Sequence, residues 1–247
     1  MSTPKALLPS LLLSGILLFC CQGEAQAAVY TGDLLYENWG AVDTGLEVVS
    51  ANADGWGNYT KVAWKVSDQE PGKPASHPIY YEYTITVRKY ALSHAILETS
   101  DNFGTGDITQ VEVDGQSHTN YAINTHDPNA GSPDMPEALY GVKVDDLGGG
   151  FDAGGGNVAI VISFFSNRLP VWGDIYMKCG GYGNRAWNEG FTTADTDPPD
   201  PPANGSVLKH VLVPDSVVPE PGSTALLVAA SASLLGASRR RRSRAAR

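Results

Sequence analysis

From Tyr80 to Arg88 the chain alternates without a break, with Tyr81, Tyr83, Ile85 and Val87 on one side and Glu82, Thr84, Thr86 and Arg88 on the other. A period of two belongs to a strand with one dry and one wet face, because a helix would scatter the same residues around its surface. Tyr59 to Val66 repeats the pattern, with Val62, Trp64 and Val66 opposite Lys61 and Lys65. Asn157 to Phe165 is nearly all apolar, as expected of a strand covered on both faces. Shorter strand signals fall at Leu46–Ser50, Ala95–Thr99, Ile108–Val113, Leu139–Val144, Val171–Lys178 and Val207–Val213. Turn clusters such as Asp54-Gly55, Pro71-Gly72 and Asp114-Gly115 separate them. Only 18% of residues are charged, against about 25% in an average domain, which argues against a helical bundle or coiled coil. Many short strands without βαβ alternation or internal repeat predict an all-β fold, an antiparallel β-sandwich of jelly-roll type.

The two ends follow other rules. Lys5 precedes an apolar run from Ala6 to Cys21, a polar stretch, and the small-x-small pattern Ala25-Gln26-Ala27. That order is a secretory signal peptide over 1–27, with Ala28 as the new N-terminus. At the other end, Val218-Pro219-Glu220-Pro221 is followed by an apolar segment within 222–238. Arg239, Arg240, Arg241 and Arg242 come next, with Arg244 and Arg247 behind them. Its apolar core, Ser223 to Ser238, has 16 residues, short of the roughly 20 that a stable spanning helix needs. A single short transmembrane helix is expected there, with the arginines at 239–247 held in the cytoplasm to stop translocation. The folded domain is placed at 28–213 and a stalk carrying the motif at 214–221. Asp195 to Asn204 (DTDPPDPPAN) reads as a stiff, exposed acidic loop or linker.

The motif Pro219-Glu220-Pro221, the short apolar helix and the arginine cluster together resemble the PEP-CTERM sorting signal of Gram-negative bacteria. The resemblance covers about the last 30 residues. It implies that signal peptidase and then an exosortase, a membrane transpeptidase, process the chain near Glu220-Pro221. The host would be a bacterium that makes exopolysaccharide and biofilm. An uncleaved tail anchor is the alternative. In the body, Tyr81-Glu82-Tyr83-Thr84, Ser93 to Ser100, Pro170 to Tyr176 and Ala186 to Phe191 are similar to segments of PEP-CTERM-bearing proteins of unassigned function. That likeness implies a grouping and no activity.

Trimming both ends changes the charge. Loss of Lys5 and six arginines leaves ten basic side chains, and loss of Glu24 leaves 26 acidic ones, a net charge of −16 instead of −10. A surface so acidic repels nucleic acid and anionic polysaccharide, and leaves neutral glycans, divalent cations and basic surfaces open; exopolysaccharide or surface proteins are the expected partners. Cys20 and Cys21 go with the signal, so Cys179 has no internal disulfide partner and is expected as a small core side chain.

No catalytic motif stands out. His77, His94, His118, His126 and His210 form no HxxxH or HExxH pair, so no metal site is assigned from local spacing. His94 reads as a core or edge histidine. Asp101 to Asp107 (DNFGTGD) has oxygen donors and glycines, but not the spacing of an EF-hand, and reads as a turn. The glycine-rich segment Gly148 to Gly156, flanked by Asp145 and Asp146 and containing Asp152, reads as a hairpin tip. Weak calcium binding is the one cofactor either loop could support. Glu82, Glu98, Asp174 and Glu189 are the carboxylates beside strands or aromatics that a glycosidase would need in pairs. No GxSxG motif is present. Trp39, Trp56, Trp172 and Trp187 lie near turns or strand ends, and Trp56 and Trp187 are the candidate glycan-binding rings, whereas Trp64 and Tyr83 belong to the core.

The sequence therefore predicts an exported, exosortase-sorted surface or matrix protein with a structural or adhesive role and no catalysis. A carbohydrate-binding module for a neutral glycan is the second reading. A secreted hydrolase with an unrecognised site is the third.

Overall fold

A computed structural model describes residues 28–37, 42–43, 45–50, 55–129, 131–148, 156–180, 183–193 and 196–217. The signal peptide, the Val218–Pro221 motif, the apolar tail, Arg239–Arg242 and Trp39 lie outside them. Among the described residues every strand pairing is antiparallel, and one turn of 3-10 helix at Trp56–Asn58 is the only helical element. The all-β reading holds.

The larger sheet runs in the order β2 (Val42–Asp43), β1 (Val29–Glu37), β4 (Thr60–Ser67), β5 (Ile79–Arg88), β11 (Asn157–Ser166), β7 (Ile108–Val113) and β8 (Gln116–Ser117). The second runs β3 (Leu46–Val49), β14 (Arg185–Asn188), β13 (Ile175–Cys179), β6 (Leu92–Glu98), β10 (Leu139–Asp145) and β9 (Tyr121–His126). A two-stranded ribbon pairs β12 (Arg168–Gly173) with β15 (Val211–Val217).

Alternation places the core. On β5, Ile79, Tyr81, Tyr83, Ile85 and Val87 are buried, and on β4 so are Val62, Trp64 and Val66. These join Leu97, Val142, Ile175 and Met177 from the second sheet, and Val211, Leu212 and Val213 from the ribbon, in one buried cluster. The opposite face of the second sheet has its own smaller cluster, where Met135 and Phe191 close over Ile96, Leu139 and Tyr176. The Tyr81 hydroxyl donates to Arg168 O at 3.0 Å and the Tyr83 hydroxyl to Leu212 O at 2.7 Å. Two tyrosines of one strand thus hold both strands of the ribbon, and each hydroxyl finds the partner that a buried phenol requires.

Three sequence expectations need correction. Val171–Lys178 is not one strand: it breaks at Asp174 into β12 and β13, which belong to different sheets. The last strand lies four residues later than Val207–Val213, because Leu208 and Lys209 take left-handed backbone angles (φ 45° and 64°) in a turn. It runs to Val217, so the domain does not stop at residue 213, and three residues of the expected stalk, Pro214, Ser216 and Val217, pair with β12. Pro170 lies opposite Pro214 where the register shifts, as expected of two residues with no amide to donate. The acidic stretch is an exposed loop, as the sequence predicts, its described residues mostly open to solvent, and its end is tied down: Asn204 Oδ1 accepts the Thr31 amide at 2.9 Å, and the Gly205 amide donates to Thr31 O at 2.8 Å. Finally, β11 is covered on both faces only in its second half, since Asn157 and Ala159 are exposed.

Tyr83→Phe leaves the buried Leu212 carbonyl without its donor, at a cost of about 1–2 kcal/mol. Thermal melting should record a Tm several degrees below that of the parent protein. A Tyr83→Phe protein that melts with the parent would show that the ribbon is held by packing alone.

Candidate functional site

Asp174 is the single residue between β12 and β13, where the chain leaves the ribbon and enters the second sheet. A backbone that changes sheets loses its ladder partners, and here side chains replace them. The Asp174 amide donates to Glu98 Oε2 at 2.8 Å, while the Glu98 amide donates to Asp174 O at 3.0 Å. Asn188, at the end of β14, accepts the Ile175 amide on Oδ1 at 2.8 Å. Its Nδ2 donates to Asp174 Oδ1 at 2.7 Å and to Lys209 O at 3.0 Å. Glu98, Asp174 and Asn188 are all buried.

His210 completes the cluster from the turn before β15. It is 5% exposed, and its Nδ1 lies 3.3 Å from Val207 O. A carbonyl only accepts, so Nδ1 carries the proton and Nε2 of the neutral ring presents a lone pair. That nitrogen faces Asp174 Oδ1 at 3.5 Å and Asp197 Oδ1 at 3.7 Å, the latter from the acidic loop. Gly190 lies against the imidazole: a Cβ there would come within 2.4 Å of His210 Cε1, so only glycine fits. Next to it, Glu189 pairs with Lys209.

Three proton-accepting atoms therefore lie within 4.8 Å of one another. Burial pushes the Asp174 carboxyl up to about 7, and the charge of Asp197 adds to the rise while the Asn188 hydrogen bond opposes it. Burial also lowers the His210 imidazole, against the pull of the Val207 and Leu208 carbonyls. Such a cluster favours a proton or a metal cation at its centre.

The other sequence candidates separate clearly. The Asp101–Asp107 loop is a turn between β6 and β7, and a guanidinium fills the place of a cation in it. Arg168 donates to Asp107 Oδ2 at 2.9 Å, Asn102 Oδ1 at 2.8 Å and Asn102 O at 3.0 Å. Burial would raise the Asp107 carboxyl, but the hydrogen bonds from Arg168 and Gly104 outweigh it and lower it. Most of the Gly148–Gly156 segment, with Asp152, lies outside the described residues. Near it, Asp145 pairs with Lys143 and Asp146 accepts from Asn120.

Trp56 is a correction: it is 0% exposed in the 3-10 turn, so its ring offers no face to a sugar. Trp172 is buried as well. Trp187 is half-buried, with its ring stacked on Tyr176 at 6.4 Å between centroids. His94 is a core histidine as read from the sequence; burial above all lowers its imidazole to about 4, and it stacks on Tyr176. Cys179 is a buried free cysteine. Of the four named carboxylates, Glu98 and Asp174 meet through the backbone, Glu82 accepts from the Tyr80 hydroxyl, and Glu189 pairs with Lys209. Asp197 was not singled out by sequence, where it is one acid among several in a proline-rich stretch.

Asp174 is raised on folding, so its contribution to stability is complete below its unfolded value of 3.8 and is lost as pH rises through about 7. A shift of that size corresponds to roughly 4 kcal/mol. In EDTA, the fall in Tm between pH 5 and 8 should be smaller in Asp174→Asn than in the parent, and the variant should be the more stable at pH 8. Parallel pH profiles would contradict the buried, proton-holding carboxyl. No outside relative assists the assignment of this cluster: comparison with protein-family models, curated proteins and solved structures found no match to the chain.

Proposed function

We propose that this chain is an exported, exosortase-sorted component of the surface or extracellular matrix of an exopolysaccharide-producing bacterium. Its role is structural or adhesive rather than catalytic, and its body is an antiparallel sandwich of jelly-roll type. One observation carries the reading: Val218-Pro219-Glu220-Pro221, an apolar segment and Arg239–Arg242 follow one another in the order a sorting enzyme would read. The body supports it at its start. The Ala28 amide donates to Asp68 Oδ1 at 3.0 Å, and cleavage after Ala27 would replace that amide with an ammonium facing the same carboxylate. The new contact would be a charge-assisted hydrogen bond, about twice as strong as a neutral one. The sandwich reading is supported by a core shared between the two larger sheets.

Intact-mass measurement on the protein released by cells with and without active exosortase tests this proposal. The expected product begins at Ala28 and lacks the six C-terminal arginines, and it disappears without the sorting enzyme. A released chain that keeps its arginine tail would overturn the sorting reading.

A further inference from the structure

We propose that Asp174, Asp197 and His210 bind one divalent transition-metal ion of the zinc class. The inference is independent of how the chain is exported. Its geometric basis is the spacing of the donors. Nε2 of His210 lies 3.5 Å from Asp174 Oδ1 and 3.7 Å from Asp197 Oδ1, too far for a hydrogen bond to either. Two ligands each about 2.1 Å from a shared tetrahedral ion stand about 3.4 Å apart, close to both separations. The two carboxylate oxygens are also within 4.8 Å of each other, so all three donors stand around one small volume.

The imidazole is prepared as a ligand. It is almost fully buried, its Nδ1–H is directed to a backbone carbonyl, and its free lone pair points between the two carboxylates. A backbone carbonyl on the far nitrogen is the usual outer partner of a metal-bound histidine, since it sets both tautomer and ring orientation. Asp174 is oriented in the same way by Asn188 Nδ2. Gly190 leaves the room in which the ring can sit.

The donor set selects the ion. One imidazole nitrogen and two carboxylate oxygens suit zinc and its neighbours, whereas calcium prefers six to eight oxygens and magnesium an octahedron largely of water. Asp197 has a side chain 22% exposed and provides the entry side, where water would take the fourth position. A bound ion would tie the acidic loop, through Asp197, to the point where the ribbon joins the second sheet.

The full chain, stripped with EDTA and held in mild detergent, should be titrated with Zn2+, and separately with Ca2+, by calorimetry with thermal melting alongside. The expected result is one Zn2+ per chain and a raised Tm, with no comparable uptake of Ca2+. Asp197→Asn should still fold without metal and weaken Zn2+ binding at least tenfold. His210→Gln should lose the site. Cobalt loaded in place of zinc should give the visible absorption of a four-coordinate ion, and Asp197→Asn should change it. Absence of saturable Zn2+ binding, or uptake by Asp197→Asn equal to that of the parent, would overturn the assignment.

Discussion

The structure depends on how it pays the hydrogen-bond cost of moving the chain from one sheet to another at a single residue. Between Gly173 and Ile175 the backbone has no ladder, and an unmet buried amide costs about 1–3 kcal/mol. Glu98 and Asn188 supply the missing acceptors with their side chains, and the Glu98 amide returns a bond to the Asp174 carbonyl. These residues come from β6, the β12–β13 junction and β14, so one polar network fixes the register of three strands. Because every member is buried, a partly satisfied version would be worse than an apolar one.

Around that junction the ribbon is held by groups from the first sheet and its loops. Tyr81 and Tyr83 reach its two backbones, and Arg168 anchors its start in the β6–β7 turn. The ribbon in turn places His210 and the Lys209 carbonyl against Asp174 and Asn188. The cluster of ionisable groups is thus a consequence of the architecture. Glu98, needed for the backbone, and Asp174, placed at the junction, bring carboxyl groups into a dry place, where burial raises Asp174 and the Asn188 amide opposes the rise.

Much of the strand pattern was legible because packing and periodicity agreed. On β4 and β5 the alternation named the inward face correctly, since both strands are central and one face is dry. Ile108–Val113 is β7 to the residue. β1 escaped because Gly32 and Asp33 interrupt it and only Leu34 is buried, so its pairing with β4 leaves little hydrophobic signal. The break at Asp174 was invisible because both halves are apolar and strand-like; only the partners differ.

The cluster was half legible. Asp174 and His210 were visible as residue types, but no local spacing brings them together, because their meeting depends on a sheet change and a turn 36 residues apart in sequence. Asp197 gave no signal of its own. Trp56 misled for a related reason: a glycine on either side suggested exposure, yet the turn folds inward and the indole enters the core.

The central claim is that side chains, not strand pairing, hold the sheet junction. Native-state hydrogen exchange of individual amides tests it most directly. The account predicts that Asp174 and Ile175, whose amides are bonded to Glu98 and Asn188 side chains, exchange only through global unfolding, as slowly as the centre of β5. Exchange of those two amides at the rate of surface loops, with β5 still protected, would contradict it.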